Sequence, residues 1–140
     1  MTILDTNVVS ELMKAAPASA VRKWFSVQRP EDLFISAVNV AEILYGIELL
    51  PHGKRRDSLL QEAEETFAKN FSGRILTFDE RAARVFGSIA AARRLQGRPI
   101  GIADGEIAAI ARSHHASLAT RDTQDFEGCG VKLVNPWEMR

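Results

Sequence analysis

Short apolar runs alternate along this chain with longer segments in which apolar residues recur every three or four positions. The short runs are typical of buried strands, and the longer pattern is typical of helices that pack one face against a core. Strands and helices that alternate in this way indicate an α/β protein with a parallel sheet. The sequence therefore predicts a single α/β domain over residues 1–140, with a mainly parallel central sheet of about five strands flanked by helices.

The same pattern predicts where each element lies. The expected strands cover residues 2–4, 33–38, 74–78, 117–120 and 131–134. The expected helices cover residues 8–13, 18–27, 40–50, 54–70, 79–97 and 102–115. Helix breakers and caps set these limits: Pro17, Pro51 and Gly53 fall between helical segments, Asp79 can cap the fifth helix and Gly97 can end it.

Composition and charge exclude several classes of protein. The 140 residues are 46% hydrophobic and 26% charged, as expected for a globular domain rather than a disordered chain. Lys and Arg number 18, as do Asp and Glu, and this neutrality argues against nucleic-acid binding through bulk positive charge. The single cysteine, Cys129, cannot form an internal disulfide, and there is neither a signal-peptide pattern nor a membrane-length apolar run. We therefore expect a cytoplasmic protein that is not embedded in a membrane.

Four acidic residues occupy comparable places in the predicted fold. Asp5 follows the first strand and Asp122 follows the fourth, while Glu42 and Asp104 are each predicted in the first turn of a helix. Strand carboxyl ends and helix amino ends meet at one edge of an open parallel sheet, where such folds bind ligands. The sequence thus predicts that four carboxylates converge on one crevice.

A divalent cation would offset the electrostatic repulsion among these four carboxylates. Each acid taken singly also suits a helix cap or a turn, and that structural alternative stays open. Together, the carboxylates would repel one another and raise one another's pKa values unless a cation lay among them. Mg²⁺ and Mn²⁺ prefer such oxygen ligands, and either ion can activate water and polarise a phosphoryl oxygen. Phosphodiester hydrolysis or phosphoryl transfer is therefore the favoured chemistry.

Four segments around these acids resemble the motifs of PIN-domain ribonucleases. They are LDTNVVSEL at 4–12, ISAVNVAEI at 35–43, IADGEIAA at 102–109 and LATRDTQDF at 118–126. The likeness is strongest to the VapC and FitB-like toxins of bacterial type II toxin–antitoxin modules, and it extends from Ile3 to Trp137 in the same order and spacing. The resemblance implies a toxin that cleaves RNA as an endoribonuclease dependent on Mg²⁺ or Mn²⁺.

The resemblance also implies roles for individual residues. The residues that match the catalytic, metal-binding quartet are Asp5, Glu42, Asp104 and Asp122. The residues expected to orient those carboxylates or a metal-bound water are Thr6, Thr120 and Asn7, of which Asn7 is also explained as a helix cap. Asp125 matches a further acidic position of many relatives, and it either lies near the site or caps the turn before Phe126.

Two small departures from the family pattern occur beside the quartet. Asn39 stands where threonine is frequent, and it is expected to cap a helix about as well. Gly105 replaces a common alanine and is expected only to loosen the start of its helix slightly. Neither departure affects the assignment of the acids.

The partners follow mainly from the resemblance. Such toxins form homodimers and hetero-oligomers with a small antitoxin whose carboxyl-terminal segment lies in a hydrophobic groove. The residues expected to line this groove, unless core packing claims them, are Leu12, Met13, Trp24 and Phe25. Operator DNA would be contacted only indirectly, through the antitoxin. RNA phosphates would be guided by some of the basic residues at 54–56, 93–94, 98 and 121, although a solvated helix face explains each cluster equally well.

Two other functions remain as alternatives. A receiver-like signalling module also gathers acids at strand ends, but it needs a lysine on a late strand, for which Lys132 is a weak match. A catalytically silent PIN protein could act through the antitoxin and operator complex alone. Zinc and thiol catalysis are disfavoured, because the three histidines lack cysteine partners at ligand spacing and Cys129 has no evident base.

Overall fold

A computed structural model describes residues 1–139 of the chain. Its five strands are β1 (Thr2–Leu4), β2 (Leu33–Ser36), β3 (Ile75–Leu76), β4 (Ser117–Ala119) and β5 (Leu133–Val134). All neighbouring pairs are parallel, and the order across the sheet is β3-β2-β1-β4-β5. The predicted α/β class and the parallel five-stranded sheet are thus confirmed for the part of the chain that the structure describes.

The helices flank this sheet on both faces. The six α-helices are α1 (Thr6–Leu12), α2 (Ser19–Ser26), α3 (Ala37–Glu48), α4 (Lys54–Glu65), α5 (Glu80–Leu95) and α6 (Ile102–Ser113). One apolar core lies between the sheet and the α5–α6 pair, and the other lies between the sheet and α1 to α4. Ile3 and Leu4 are both fully buried, one in each core, because successive strand residues point to opposite faces.

Several element boundaries differ from the prediction; the fifth strand, for example, covers only Leu133–Val134. The second strand ends at Ser36, since the Ser36 side chain caps α3 in a capping box with Asn39, and residues 37–38 therefore join the helix. Glu42 consequently lies in the second turn of α3, so the prediction of the first turn was wrong. The third strand is limited to Ile75–Leu76. The predicted helix at 54–70 is α-helical only as far as Glu65, and its last five residues, Thr66–Asn70, form a π-helical turn.

The pairing of β1 with β4 positions the first and last acidic motifs. Leu4 is in register with Ala119, and the Asp5 backbone N–H donates to the Ala119 carbonyl at 2.9 Å. Asp5 and Thr120 therefore leave the sheet side by side at its carboxyl edge. None of the helices within residues 1–139 combines the length and apolar character needed to cross a bilayer.

Candidate active site

Asp5 is the buried centre of the acidic crevice. Only 6% of the residue is exposed, and its carboxylate caps α1 by accepting the Thr6 backbone N–H at 2.8 Å. The other carboxylate oxygen accepts the Thr120 hydroxyl at 2.7 Å. Burial raises the pKa of Asp5 above its ordinary value; these hydrogen bonds oppose the rise, and the charges of Glu42 and Asp122 add to it. The Asp5 carboxylate is thus fixed in orientation and sensitive to its acidic neighbours.

Asn7 joins the first acidic motif to the last. Its side-chain Nδ2 lies 3.1 Å from an Asp122 oxygen and 3.4 Å from Asp5 Oδ2, and its Oδ1 accepts the Arg121 backbone N–H. Asp5, not Asn7, caps α1, so the interpretation of Asn7 as a helix cap was wrong. Asn7 instead holds two carboxylate-bearing segments together.

Glu42 is oriented from behind by a chain of hydrogen bonds. The Thr6 hydroxyl donates to Glu42 Oε1 at 2.7 Å and accepts from Asn39 Nδ2 at 3.0 Å. Asn39 Oδ1 in turn accepts the backbone N–H and the hydroxyl of Ser36. Asn39 is therefore the buried link between the start of α3 and Glu42; it helps to cap α3 as the third residue of the capping box, whereas the N-cap residue itself is Ser36.

Sequence reasoning missed the part that Ser36 and Asn39 take in this site. The signal that could have revealed them was the spacing Ser-x-x-Asn directly after a strand, which resembles a capping box. That spacing would have set the start of α3. It would not have revealed the contact with Thr6, which lies 33 residues away in the chain.

Asp104 is the acid with the most perturbed ionisation. It lies half-buried in the first turn of α6, as predicted, and within residues 1–139 its carboxylate accepts no hydrogen bond. Burial, followed by the negative charges of Asp5, Glu42, Asp125 and Asp122, raises its pKa to about 6. This electrostatic coupling indicates that all five acids share one crevice.

Asp125 contributes to that field from a short turn. It lies exposed in a 3-10 turn, Thr123–Phe126, whose cap residue is Asp122. Its backbone N–H donates to the Asp122 carbonyl at 3.0 Å, and its charge adds to the raised pKa of Asp104. Asp125 thus lies near the quartet, although it makes no direct contact with it through its side chain within residues 1–139.

The donors suit a hard divalent ion by their chemistry. The crevice presents carboxylate and hydroxyl oxygens, the ligands that Mg²⁺ and Mn²⁺ prefer. Within residues 1–139, no three acidic, histidine or cysteine side chains already stand in a closed ligand cluster. Asp122 is exposed and Glu42 and Asp104 are half-buried, so their carboxylates remain accessible to a cation from solvent.

Not all of the basic residues that were expected to guide RNA have side chains free to contact it. Arg93 is only 4% exposed and donates to the backbone carbonyls of Arg98, Asp125 and Glu127, so it is structural. The Arg121 guanidinium lies over the Trp137 ring, 5.0 Å from its centroid. Trp24 is likewise buried in the core and does not line a groove.

Comparison with known proteins identifies the family. The PIN domain family matches residues 2–129. The chain belongs to the PIN-domain family. It is 44% identical over 138 residues to VapC ribonuclease Y4jK of Sinorhizobium fredii, and 40% identical over 137 residues to toxin FitB of Neisseria gonorrhoeae. The first alignment covers 99% of each chain, and the second covers 98% of this chain and 99% of FitB.

A solved toxin–antitoxin structure has the same fold over the whole chain. The structure of FitAB bound to an IR36 DNA fragment superposes with a TM-score of 0.92 at 39% identity, covering 100% of this chain and 98% of that one. The predicted resemblance to PIN-domain ribonucleases, and to VapC and FitB toxins among them, is confirmed. The limits of the domain, whose last residue Arg140 lies outside the described residues, stay a prediction.

Proposed function

We propose that this PIN-domain protein is the toxin of a type II toxin–antitoxin system and cleaves RNA as a metal-dependent endoribonuclease. The observation that carries the proposal is the convergence of the quartet at one sheet edge, where burial and neighbouring acids raise the pKa of Asp104 to about 6. PIN ribonucleases are generally metal-dependent. The oxygen donors favour Mg²⁺ or Mn²⁺, and the quartet supplies the ligands and catalytic carboxylates: Asp5, Glu42, Asp104 and Asp122.

Each residue of the crevice has a distinct task in this mechanism. The bound ion supplies Lewis-acid chemistry, which activates water and stabilises charge on the phosphate. Asp5, Glu42, Asp104 and Asp122 would hold the ion through their carboxylate oxygens. Thr6 and Thr120 fix the carboxylates of Glu42 and Asp5 through hydrogen bonds of 2.7 Å. These hydroxyls therefore hold the ligands in place without contacting the phosphate.

The antitoxin segment would occupy the groove beside α1. Leu12, Met13 and Phe25 line a cavity of about 550 Å³, with Arg22 and Lys69 on its wall. Met13 also lines a second cavity, of about 470 Å³, that reaches Thr6 and Glu42. An apolar segment that follows this groove would arrive at the acidic crevice, where a basic residue of the antitoxin would meet the carboxylates.

The groove proposal has a direct test. Phe25→Asp places a charge on the wall of the cavity and should prevent co-purification with the antitoxin encoded beside this gene. Val27→Asp is the matched control, because Val27 is 69% exposed and lies outside the cavity lining. Equal loss of the complex in both variants would contradict the groove.

We propose that the homodimer forms through an exposed apolar patch beside the crevice. Tyr45 and Ile102 are 68% and 71% exposed, and together with Val38 they line a cavity of about 370 Å³ next to Glu42. Large apolar residues exposed together mark interaction surfaces. In the complete complex, operator DNA would be contacted by the antitoxin only, and the assembly would act in the cytoplasm.

The enzymatic proposal is tested with the purified chain and a structured RNA. Cleavage should require Mg²⁺ or Mn²⁺ and should disappear with EDTA or with Asp5→Ala. Glu64→Gln serves as control, because Glu64 is an exposed acid on α4 outside the crevice. Undiminished cleavage by Asp5→Ala, or in EDTA, would refute the metal mechanism. A metal-induced rise in melting temperature that Asp104→Asn abolishes would report ion binding independently of activity.

The two alternatives are separable from this function. The receiver-like module is disfavoured, because Lys132 precedes β5 at the opposite edge of the sheet from the acids. A silent PIN protein would not arrest growth when expressed without antitoxin. We expect growth arrest by the natural chain and none by Glu42→Gln, and equal behaviour of the two chains would favour the silent protein.

A further inference from the structure

A basic cavity lies at the amino-terminal edge of the sheet, opposite the acidic crevice. Its volume is about 540 Å³, and it lies between the ends of α5 and α6 and the residues around β4 and β5. Four basic side chains line it: Arg81 of α5, Arg112 of α6, His115 in the turn after α6 and Lys132 just before β5. The remaining lining residues are apolar, serine or glycine, so no carboxylate of the described residues lines the cavity.

These basic side chains have no anionic partner in the part of the chain that the structure describes. The seven ion pairs within residues 1–139 include none of the four, and none of their side chains donates a hydrogen bond there. Elsewhere, exposed arginines of this protein do pair, as Arg84 does with Glu80 and Arg98 with Glu127. The basic cavity therefore presents uncompensated positive charge.

Helix dipoles do not account for the whole set. Arg112 lies in the last turn of α6, where a cation is favoured by the partial negative charge of the helix end. Arg81, however, lies in the first turn of α5, where the dipole disfavours a cation. Lys132 belongs to no helix. An external anion explains all of these positions together.

The guanidinium of Arg112 lies close to the backbone of a glycine. Gly130 has φ +74, and a Cβ added there would meet Arg112 Nε at 3.3 Å and Cζ at 3.4 Å. The missing side chain allows the guanidinium to lie against the loop backbone. A side chain at position 130 would crowd this guanidinium, whose planar fork matches phosphate oxygens.

We propose that the basic cavity binds phosphate groups of the RNA backbone away from the bond that is cleaved. The inference rests on the proposed ribonuclease function, because the substrate is then a polyanion long enough to extend beyond the crevice. Arg112 follows Asp104 by about two turns of α6, roughly 12 Å along the helix axis, so one folded RNA can span both sites. The cavity adds affinity without reading sequence, as phosphate contacts do.

The test compares charge-matched variants in RNA binding. Asp104→Asn should prevent cleavage, and in that background Arg112→Gln with Lys132→Gln is compared with Lys23→Gln with Arg29→Gln, two exposed cations outside the cavity. Fluorescence anisotropy with a folded RNA should show that affinity falls by about tenfold or more for the cavity pair. For the same variant, the slope of the logarithm of the binding constant against the logarithm of the salt concentration should become shallower by about two. Each phosphate that the variant no longer neutralises accounts for about one of these. Equal effects of both pairs would overturn the proposal.

Four further arms test the site and exclude other occupants. An oligonucleotide limited to the cleaved segment cannot reach the cavity. It should therefore bind the Arg112→Gln, Lys132→Gln variant with the same affinity as it binds the parent protein. Inorganic phosphate or pyrophosphate that fully displaces the folded RNA would identify a small-anion site, and equal affinity for duplex DNA would identify a general DNA surface; either result overturns the RNA assignment. Gly130→Ala, which keeps all charges, should weaken binding if it remains folded by circular dichroism.

The failure of this proposal is distinguishable from failure of the proposed function. Binding is measured in a background that does not cleave, whereas cleavage by the natural chain is measured separately. Salt-dependent binding through the cavity without any cleavage would refute the ribonuclease and leave a nucleic-acid site. If the Arg112→Gln, Lys132→Gln variant cleaved folded and short RNA as well as the natural chain does, the RNA-binding role of the cavity would be refuted and the ribonuclease function would stand.

Discussion

The Thr6 hydroxyl donates a hydrogen bond of 2.7 Å to Oε1 of Glu42, and so connects the first acidic motif with the second. The same oxygen accepts from Asn39, so it can point its proton only toward Glu42. Thr6 is adjacent to Asp5, whose carboxylate accepts the Thr6 backbone N–H. One residue therefore orients two carboxylates of the quartet, with its backbone and with its side chain.

Thr6→Val should reduce RNA cleavage by roughly tenfold to a hundredfold, as expected when a group behind a metal ligand is removed. Valine keeps the volume but cannot donate to Glu42 or accept from Asn39. The reduction should appear as a weaker apparent affinity for Mg²⁺, measured by cleavage rate against metal concentration. Thr6→Ser keeps the hydroxyl and is the control. A Thr6→Val enzyme with unaltered metal dependence would show that Glu42 needs no such orientation.

Asp104→Asn should stabilise the metal-free protein at neutral pH. Because the folded-state pKa of Asp104 is about 6 and its ordinary value is 3.8, ionising this group costs folding free energy. This cost is absent when both states are protonated, develops as the pH rises from about 4 to about 6, and is complete above that. Since Asp104 is only half-buried, solvent screening reduces the gain, which we expect to be on the order of 1 kcal/mol at pH 7.

Urea unfolding in EDTA at pH 7 and near pH 4 measures this difference. The advantage of Asp104→Asn should shrink toward zero at the lower pH. Asp57→Asn is the matched control, because Asp57 also lies in the first turn of a helix but away from the crevice. It should lose a few tenths of a kcal/mol from the helix dipole and gain nothing. A variant Asp104→Asn that is less stable than its parent at pH 7 would contradict the raised pKa.

The positions of the acids were predictable from sequence because they depend on where strands and helices meet. Asp5 and Asp122 were assigned correctly to strand ends, since the short apolar runs before them have no competing helical period. The end of β2 was misplaced, because the apolar residues at 37–38 continue from strand into helix without a change in hydrophobicity. Only the capping box of Ser36 and Asn39 marks that boundary.

Side-chain partners between distant segments were not predictable. The contact of Thr6 with Asn39 depends on how α1 and α3 cross the sheet edge, which no local pattern records. Arg93 was read as part of a charged helix end, because arginine pairs in a last helical turn are usually exposed. Two of its three backbone partners are carbonyls more than 30 residues away, and a backbone carbonyl has no signature in the sequence.

Arg93→Met should destabilise the protein by about 3 kcal/mol. Arg93 Nη1 donates to the carbonyls of Asp125 and Glu127 at 2.7 and 3.1 Å, and Nε donates to Arg98 at 2.7 Å. Methionine fills similar space but leaves these carbonyls without their donor. Urea unfolding measures the loss, and Arg94→Met, which changes an exposed neighbour, should stay within about 0.5 kcal/mol. Similar losses in both variants would show that only charge at the end of α5 matters.

Gly105→Ala should destabilise the protein even though alanine favours helices. A Cβ at Gly105 would lie 2.8 Å from Cε2 and 3.2 Å from Cδ2 of the Phe86 ring. Alanine gains about 1 kcal/mol of helix propensity, whereas overpacking costs about 1–3 kcal/mol, so the clash should dominate. The expectation that Gly105 merely loosens the helix start was thus wrong, because the glycine permits α6 to pack closely on Phe86 of α5.

Gly87→Ala supplies the matched control for that clash. Gly87 is also helical, on α5, but a Cβ there would meet nothing within 4 Å. Thermal unfolding should therefore show a gain of about 0.5–1 kcal/mol for Gly87→Ala and a net loss of up to about 2 kcal/mol for Gly105→Ala. Because Gly105 follows Asp104 directly, the displaced helix start should also lower Mg²⁺ affinity. A Gly105→Ala protein as stable as Gly87→Ala would mean that the Phe86 ring yields without cost.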